Sequence, residues 1–356
     1  MTFIPAYLIA YSNSDFTNPH ELVLPDDPKD YREQFAHAGA KYWGMETCRH
    51  KATSVDKANK KIHYQYDAHN WVNIAFKERA NISSVQISTK WYTGNQVRAV
   101  SVIVIDELLK TEVEVLSRVS LEPDKEHRFT FPAVTATEAY IKIYYEGGLS
   151  RINFFGKITK EQLPKRENLL ASAEISHVSN EHYGNPTMAV NGCRKEMHMV
   201  GWESARTGFG EQAIFHFKQP SLINEIVVDT YLHRFNSPLT CHIYGLLAED
   251  GKDVNSYISS LPKWMLTFED GHEVIPDNFQ QYMLDESFLK EKTTSPTHFE
   301  IALYNEPNSP WVGILPHELL HADTYHRFTS IKESGPFSHL LYLHYPNGGI
   351  HGLKCY

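Results

Sequence analysis

The chain has 356 residues, with 34 Lys and Arg against 43 Asp and Glu and a formal net charge of −9. That length holds two domains of ordinary size, and that charge excludes the basic footprint of a nucleic-acid binder. No stretch approaches the roughly 18 uninterrupted apolar residues of a membrane helix, so no membrane partner is expected.

The N-terminus lacks a basic region followed by an apolar run, so no secretory signal is expected. The 4 Cys are scattered without a C-x-x-C pair, which points to reduced thiols and a cytoplasmic protein.

In chain order, a polar segment set among aromatics comes first: Lys41-Tyr42-Trp43-Gly44-Met45-Glu46-Thr47-Cys48-Arg49-His50. Residues 51–68 are Lys-rich and read as a solvated loop. Residues 82–87 alternate apolar and polar, the period of a half-buried strand. They run into Ser88-Thr89-Lys90-Trp91-Tyr92-Thr93-Gly94-Asn95, a loop closed by Asn, for which a left-handed αL conformation is expected. Residues 97–105 form a β-branched run, and 140–144 alternate around Lys142. Gly147-Gly148 predicts a tight turn with positive φ before a last strand over 149–155. Residues 158–167, charged and containing Pro164, read as a linker.

The same order then returns. Gly201-Trp202-Glu203-Ser204-Ala205-Arg206 echoes the first segment, and residues 223–228 echo 82–87. Asp229-Thr230-Tyr231-Leu232-His233-Arg234-Phe235-Asn236 echoes the Asn-closed loop. Leu315-Pro316-His317-Glu318-Leu319-Leu320-His321-Ala322-Asp323-Thr324-Tyr325-His326-Arg327-Phe328 echoes residues 116–129, and Tyr345-Pro346-Asn347-Gly348-Gly349-Ile350 echoes Tyr145-Glu146-Gly147-Gly148-Leu149. A unit this long is no solenoid turn, whose period is about 20–50 residues. It predicts two copies of one all-β domain, residues 1–157 and 168–356, each an antiparallel sandwich. The second copy carries an insertion at about 248–310, where Trp264, Phe268, Tyr282, Met283 and Phe288 predict a small helical excursion.

His317-Glu318-Leu319-Leu320-His321 matches H-E-x-x-H, which on a helix binds zinc. Pro316 and the turn-like Asp323-Thr324 leave too short a segment for that helix, and the matching segment of the first copy has no ligand pair. No metal ligands are therefore assigned and no cofactor is expected, with a divalent metal left open. His127 and His326, each before Arg-Phe, read as structural.

Taken together, Gly201-Trp202-Glu203-Ser204, Val228-Asp229-Thr230, the Thr89, Gly94 and Asn95 positions and the Tyr145 to Gly156 segment resemble the allantoicase family. Ser12-Asn13-Ser14-Asp15-Phe16 and Ser179-Asn180-Glu181-His182-Tyr183-Gly184 resemble its repeat starts, so the likeness runs through the whole chain. The departures are local: Trp43 and Val200 stand where the family has Asp, Met45 where it has Trp, Ser88 where it has Asp, and Phe235 where it has Gly.

The resemblance implies two jelly-roll sandwiches of the galactose-binding-like type. It also implies a cytoplasmic homo-oligomer that hydrolyses allantoate to ureidoglycolate and urea in purine breakdown. Such a substrate needs a guanidinium for its carboxylate and an acid/base for the departing urea. Glu46, Glu203, Asp229 and His233 are the catalytic candidates. Arg49, His50, Asn95, Arg206 and Asn236 are the candidates for holding a small ureide. For Glu203 and Arg206 the competing reading is a plain ion pair beside Trp202. The competing functions are action on another ureido or amidino compound, and a binding module without catalysis.

Overall fold

The computed structural model describes residues 2–14, 16–206, 209–291 and 298–356. Asp15 of the first repeat start and positions 292–297 of the insertion lie outside the described residues. The chain divides into two compact units, Met1–Lys165 and Arg166–Tyr356.

The first unit is organised by two long antiparallel strands, His69–Ser88 and Glu126–Tyr144, that cross both layers of a sandwich. Their register slips between Thr130 and Val134 and again between Ala136 and Glu138. Such bulges bend a strand and let it pass from one layer to the other. Before the bend, His69–Ser88 pairs with Ala6–Tyr11 and with the end of Glu126–Tyr144, which continues to Ala99–Asp106 and Thr111–Ser120. Beyond it, the same strand pairs with Arg151–Ile158, which carries Thr2–Ile4 on its other side. Alternation puts Val72, Ile74 and Phe76 from one half and Ile82, Val85 and Ile87 from the other into one buried core.

The second unit repeats the plan with its layers separated. One sheet runs Glu174–Val178, Glu211–Ser221, Phe337–Tyr345, Thr240–Leu246, Val312–Leu319. The other is Tyr325–Phe328, Ile226–Asp229, Gly352–Cys355. Residues 222–225 and 329–336 carry no strand pairing, so the two layer-crossing strands of the first unit are interrupted here. Phe215, Ile226, Val228, Tyr342 and Leu353 share its core with Trp202.

Both units are thus all-β jelly-roll sandwiches.

Three local expectations change. The insertion sets the helical segments Val254–Ser260, Phe279–Leu284 and Ser287–Lys290 beside a three-stranded sheet, Lys263–Phe268, Glu273–Val274 and Phe299–Tyr304, so the helical excursion is joined by strands. Alternation decides this: Leu266 and Phe268 turn inward against Phe279 and Met283. The Lys-rich stretch forms a hairpin, Thr53–Asp56 with Lys61–Tyr64. Of the paired glycines only Gly147 has positive φ, at +128°. Gly148 is required by a close approach instead, since a Cβ there would stand 1.9 Å from the Tyr92 ring.

His317 and Glu318 lie on the strand Val312–Leu319, where neighbouring side chains point to opposite faces. The shared helical face that an H-E-x-x-H zinc site requires is therefore not formed. His127 and His326 are structural twins: Nε2 accepts the N–H of Glu122 at 2.9 Å in one and of His321 at 2.8 Å in the other. Their Nδ1 atoms face the carbonyls of Ile87 and Val228.

Candidate functional site

Each Gly-x-Glu segment becomes a two-residue strand, Met45–Glu46 in the first unit and Trp202–Glu203 in the second. Each pairs with the segment after the glycine turn: Glu46 opposite Gly148, Glu203 opposite Gly349. The hydrogen bonds around them repeat one for one. Thr47 and Ser204 donate their N–H to the carbonyls of Gly147 and Gly348, each at 3.1 Å. Their hydroxyls accept the N–H of the same glycines. Asn13 and Asn180, from the repeat starts, accept the N–H of Cys48 and Ala205.

The repeat reaches the candidate chemistry. Asn95 Nδ2 donates to Glu46 Oε1 at 2.8 Å, and Asn236 Nδ2 donates to Glu203 Oε1 at 2.8 Å. The Asn carbonyls accept from Gly148 at 2.7 Å and Gly349 at 2.8 Å. Each Asn is therefore clamped by its backbone while its amide holds a half-buried carboxylate. The αL conformation falls on Trp91 and Leu232 instead, at φ +74° and +61°. Their N–H groups donate to Asp124 and Asp323.

Arg49 and Arg206 sit three residues beyond Glu46 and Glu203, and both are exposed. No Glu203–Arg206 ion pair forms among the described residues, because Asn236 is the partner of Glu203. The Glu46 carboxyl is pushed above the usual carboxylate range by burial, opposed by the Asn95 hydrogen bond and by the charge of Arg49. A carboxyl so placed holds its proton more readily, as a general acid must.

The units differ at the neighbouring station. Tyr92 and His233 each donate their backbone N–H to the carbonyl of the Thr three residues back, at 2.9 Å. Tyr92 is fully buried and donates its hydroxyl to the Trp43 carbonyl at 3.0 Å. His233 is also buried, and its Nε2 has no hydrogen-bond partner among the described residues. Burial holds its imidazole below the ordinary range, against the pull of Glu203. His344 behind it is driven to about 3 by complete burial and by His233.

Asp229 has a different station. Its carboxylate accepts Arg194 Nε at 3.0 Å and Nη2 at 2.5 Å, and it also accepts the N–H of Tyr231. Both side chains of this ion pair are buried. The first unit has Ser88 there, bonded to Ser150.

His50 is held at φ +70° with its N–H on Glu146 Oε2 at 2.5 Å. It lines a cavity of about 270 Å³ together with Tyr64, Arg98, Tyr144, Tyr145 and Glu146. Of these, only His50 is among the site candidates read from the sequence; Tyr145 and Glu146 enter there only as part of the repeat-end segment. Tyr64, an aromatic in a polar hairpin, is the sequence signal that leads to the rest. Among the described residues no group of three or more His, Cys, Asp or Glu is arranged to hold a metal.

The profile of the allantoicase repeat matches this sequence twice, over residues 4–159 and 168–356. The chain belongs to the allantoicase family. The allantoicase of Saccharomyces cerevisiae is 25% identical over 275 residues, covering 70% of this chain and 76% of that one. A probable allantoicase of Schizosaccharomyces pombe is 23% identical, covering 98% of this chain and 89% of its own length. A solved allantoicase structure is 19% identical, covers 99% of this chain and 90% of that one, and aligns with a TM-score of 0.34. As a member of this family the chain is a hydrolase.

Proposed function

We propose that this protein hydrolyses allantoate to ureidoglycolate and urea, with Glu46 as acid/base and Arg49 holding the substrate carboxylate. The observation that carries the reading is the Asn-clamped glutamate, present in both repeats and set three residues before an exposed arginine. In the first repeat the carboxyl is held toward its protonated form. Glu46 gives its proton to the ureido nitrogen that leaves, and the bond from that nitrogen to the central carbon breaks. Water adds to the carbon and returns a proton to Glu46.

Asn95 positions the carboxyl. His50 completes the wall on the cavity side. In the second repeat, Glu203, Asn236 and Arg206 keep the same framework, and His233 and Asp229 support it. The pairing of Asp229 with Arg194 favours a structural role for that carboxylate.

We place the protein in the cytoplasm and in purine breakdown, and read it as a homo-oligomer in keeping with its family. The four cysteines are all free thiols, as a reducing compartment would have them. Among the described residues no helix is long and apolar enough to cross a membrane.

The test is urea release from allantoate by the purified chain and by Glu46→Gln and Glu203→Gln. The expected outcome is a loss of about 10²-fold or more with Glu46→Gln and a smaller one with Glu203→Gln. The reverse order would move the acid/base to the second repeat. No urea from the unaltered chain would sink the reading.

A further inference from the structure

We infer that the cavity of the first repeat is a seat for a neutral ureido group, whose carbonyl oxygen is read by Arg98 and whose N–H groups are read by Glu146. This rests on the proposal that the substrate is a ureide and names the part of the protein that tells it from an amidine.

The cavity walls are built from tyrosines. Tyr64, from the hairpin Lys61–Tyr64, lies 5.7 Å from the Tyr145 ring, and Tyr144 closes another side. Tyr145 is held at φ +69°, a costly conformation for an aromatic residue. Two bonds pin it there: its carbonyl accepts Asn70 Nδ2 at 2.6 Å, and its hydroxyl accepts Arg118 Nη2 at 2.6 Å. At the matching station of the second repeat Tyr345 has no positive φ, so the strain belongs to the cavity rather than to the duplicated plan.

The charges are divided in the same way. Arg118 stacks on Tyr66 at 3.9 Å and on Tyr144 at 4.3 Å, so its guanidinium is spent on the wall. Arg98 lines the cavity with no side-chain hydrogen bond or ion pair among the described residues. Glu146 gives Oε2 to the His50 N–H and keeps Oε1.

One donor-only group and one acceptor-only group beside flat aromatic walls suit a planar group with a carbonyl at one end and N–H at the other. A ureido group has both. A protonated guanidino or amidino group has no acceptor for Arg98 and would bring a like charge to it. The volume of about 270 Å³ fits a small ligand.

The test is titration calorimetry of the full chain with N-carbamoylglycine and with guanidinoacetate, which share a carboxylate and differ in the planar group. N-carbamoylglycine should bind at least tenfold tighter. Arg98→Ala, at an exposed side chain, should weaken N-carbamoylglycine by tenfold or more and leave guanidinoacetate unchanged or tighter. Circular dichroism confirms that the variant is folded, and Tyr64→Ala should weaken N-carbamoylglycine alike.

Equal binding of the two compounds, or unaltered binding to Arg98→Ala, overturns the inference. Allantoate turnover with no preference between the compounds would remove this seat and leave the activity. The preference without turnover would leave the seat and remove the activity.

Discussion

Replacing Asp229 by Asn should destabilise the second unit and leave the chemistry of each folded molecule alone. The Arg194 side chain is 1% exposed and that of Asp229 is 3% exposed, so solvent cannot take over the pairing. Asn retains an acceptor for one N–H of the guanidinium but removes the charge. Breaking a buried pair on one side costs about 3–5 kcal/mol. Asp323 Oδ1, 3.6 Å from Arg194 Nη2, still offsets part of the stranded charge, so the lower end, about 3 kcal/mol, is expected. For a unit of this size each kcal/mol lowers the melting point by about 2–4 °C, giving a drop of about 6–12 °C. Urea unfolding followed by tryptophan fluorescence measures it, with Trp202 buried in the same core. Adding Arg194→Met should restore less than half the loss, because the stranded cation goes but the buried Asp323 carboxylate loses that cation as well. Urea release below the transition should stay within about twofold per folded molecule. A variant of full stability whose turnover fell about 10²-fold would refute the structural reading and make Asp229 catalytic.

Acid should destabilise the fold early. His344 is held at about 3 and His326 at about 4, both by burial, against about 6.5 when unfolded. Above pH 6.5 both are neutral in either state; below it the unfolded chain takes up protons that the fold refuses. Stability therefore falls as pH drops, by about 2 kcal/mol per histidine at pH 5, and a melting point unchanged from pH 7.5 to 5 would contradict it. Gly349→Ala should cost about 1–3 kcal/mol, since the new Cβ would stand 2.2 Å from the His233 ring. His233→Gly in the same chain should recover most of that in a denaturant melt. Asn95→Ala should cut urea release while sparing stability to within about 1 kcal/mol, because it frees the Glu46 carboxylate without opening the core. Equal activity would show that the clamp positions nothing.

The duplicated plan was readable because it is written in residue types that have few substitutes. Gly44 and Gly201 meet the backbone at Leu149–Ser150 and Ile350–His351, where a Cβ would stand at 2.3 and 2.2 Å. Thr89 and Thr230 each bond a carbonyl across the sandwich corner, at 2.6 and 2.7 Å. The segments that carry these residues therefore recur in order and can be matched by eye. What was not readable depends on contacts remote in sequence. The partner of Asp229 is Arg194, 35 positions away in a short 3-10 turn that no periodicity marks. The cavity draws on residues from His50 to Glu146 and depends on a backbone angle at Tyr145 that no sequence pattern announces. In the insertion Tyr282, Met283 and Phe288 fall in short helical segments while Trp264 and Phe268 lie on a strand, and the packing of both kinds on Phe209 and Tyr345 is a long-range contact that no local pattern announces.

The two repeats keep one frame and have parted in what they place on it. The Asn-clamped glutamate, the hydroxyl on the glycine turn and the histidine that caps the corner persist in both. Around that frame the second repeat has turned inward: Asp229 with Arg194, His344 and His233 are groups a solvated site would not bury. The first repeat has turned outward. Ser88 replaces the acid, Tyr92 fills the space of His233, and the hairpin Thr53–Asp56 with Lys61–Tyr64 brings Tyr64 against Tyr145 beside the glycine turn. A polar group freed from internal pairing is available to a ligand, and in the first repeat Arg98 and one oxygen of Glu146 line the cavity, while Arg49 lies close enough to Glu46 for its charge to act on that carboxyl. On the assignment proposed above the first copy carries the acid/base, and the divergence at Ser88 falls at the station that in the second copy serves the Asp229–Arg194 pair.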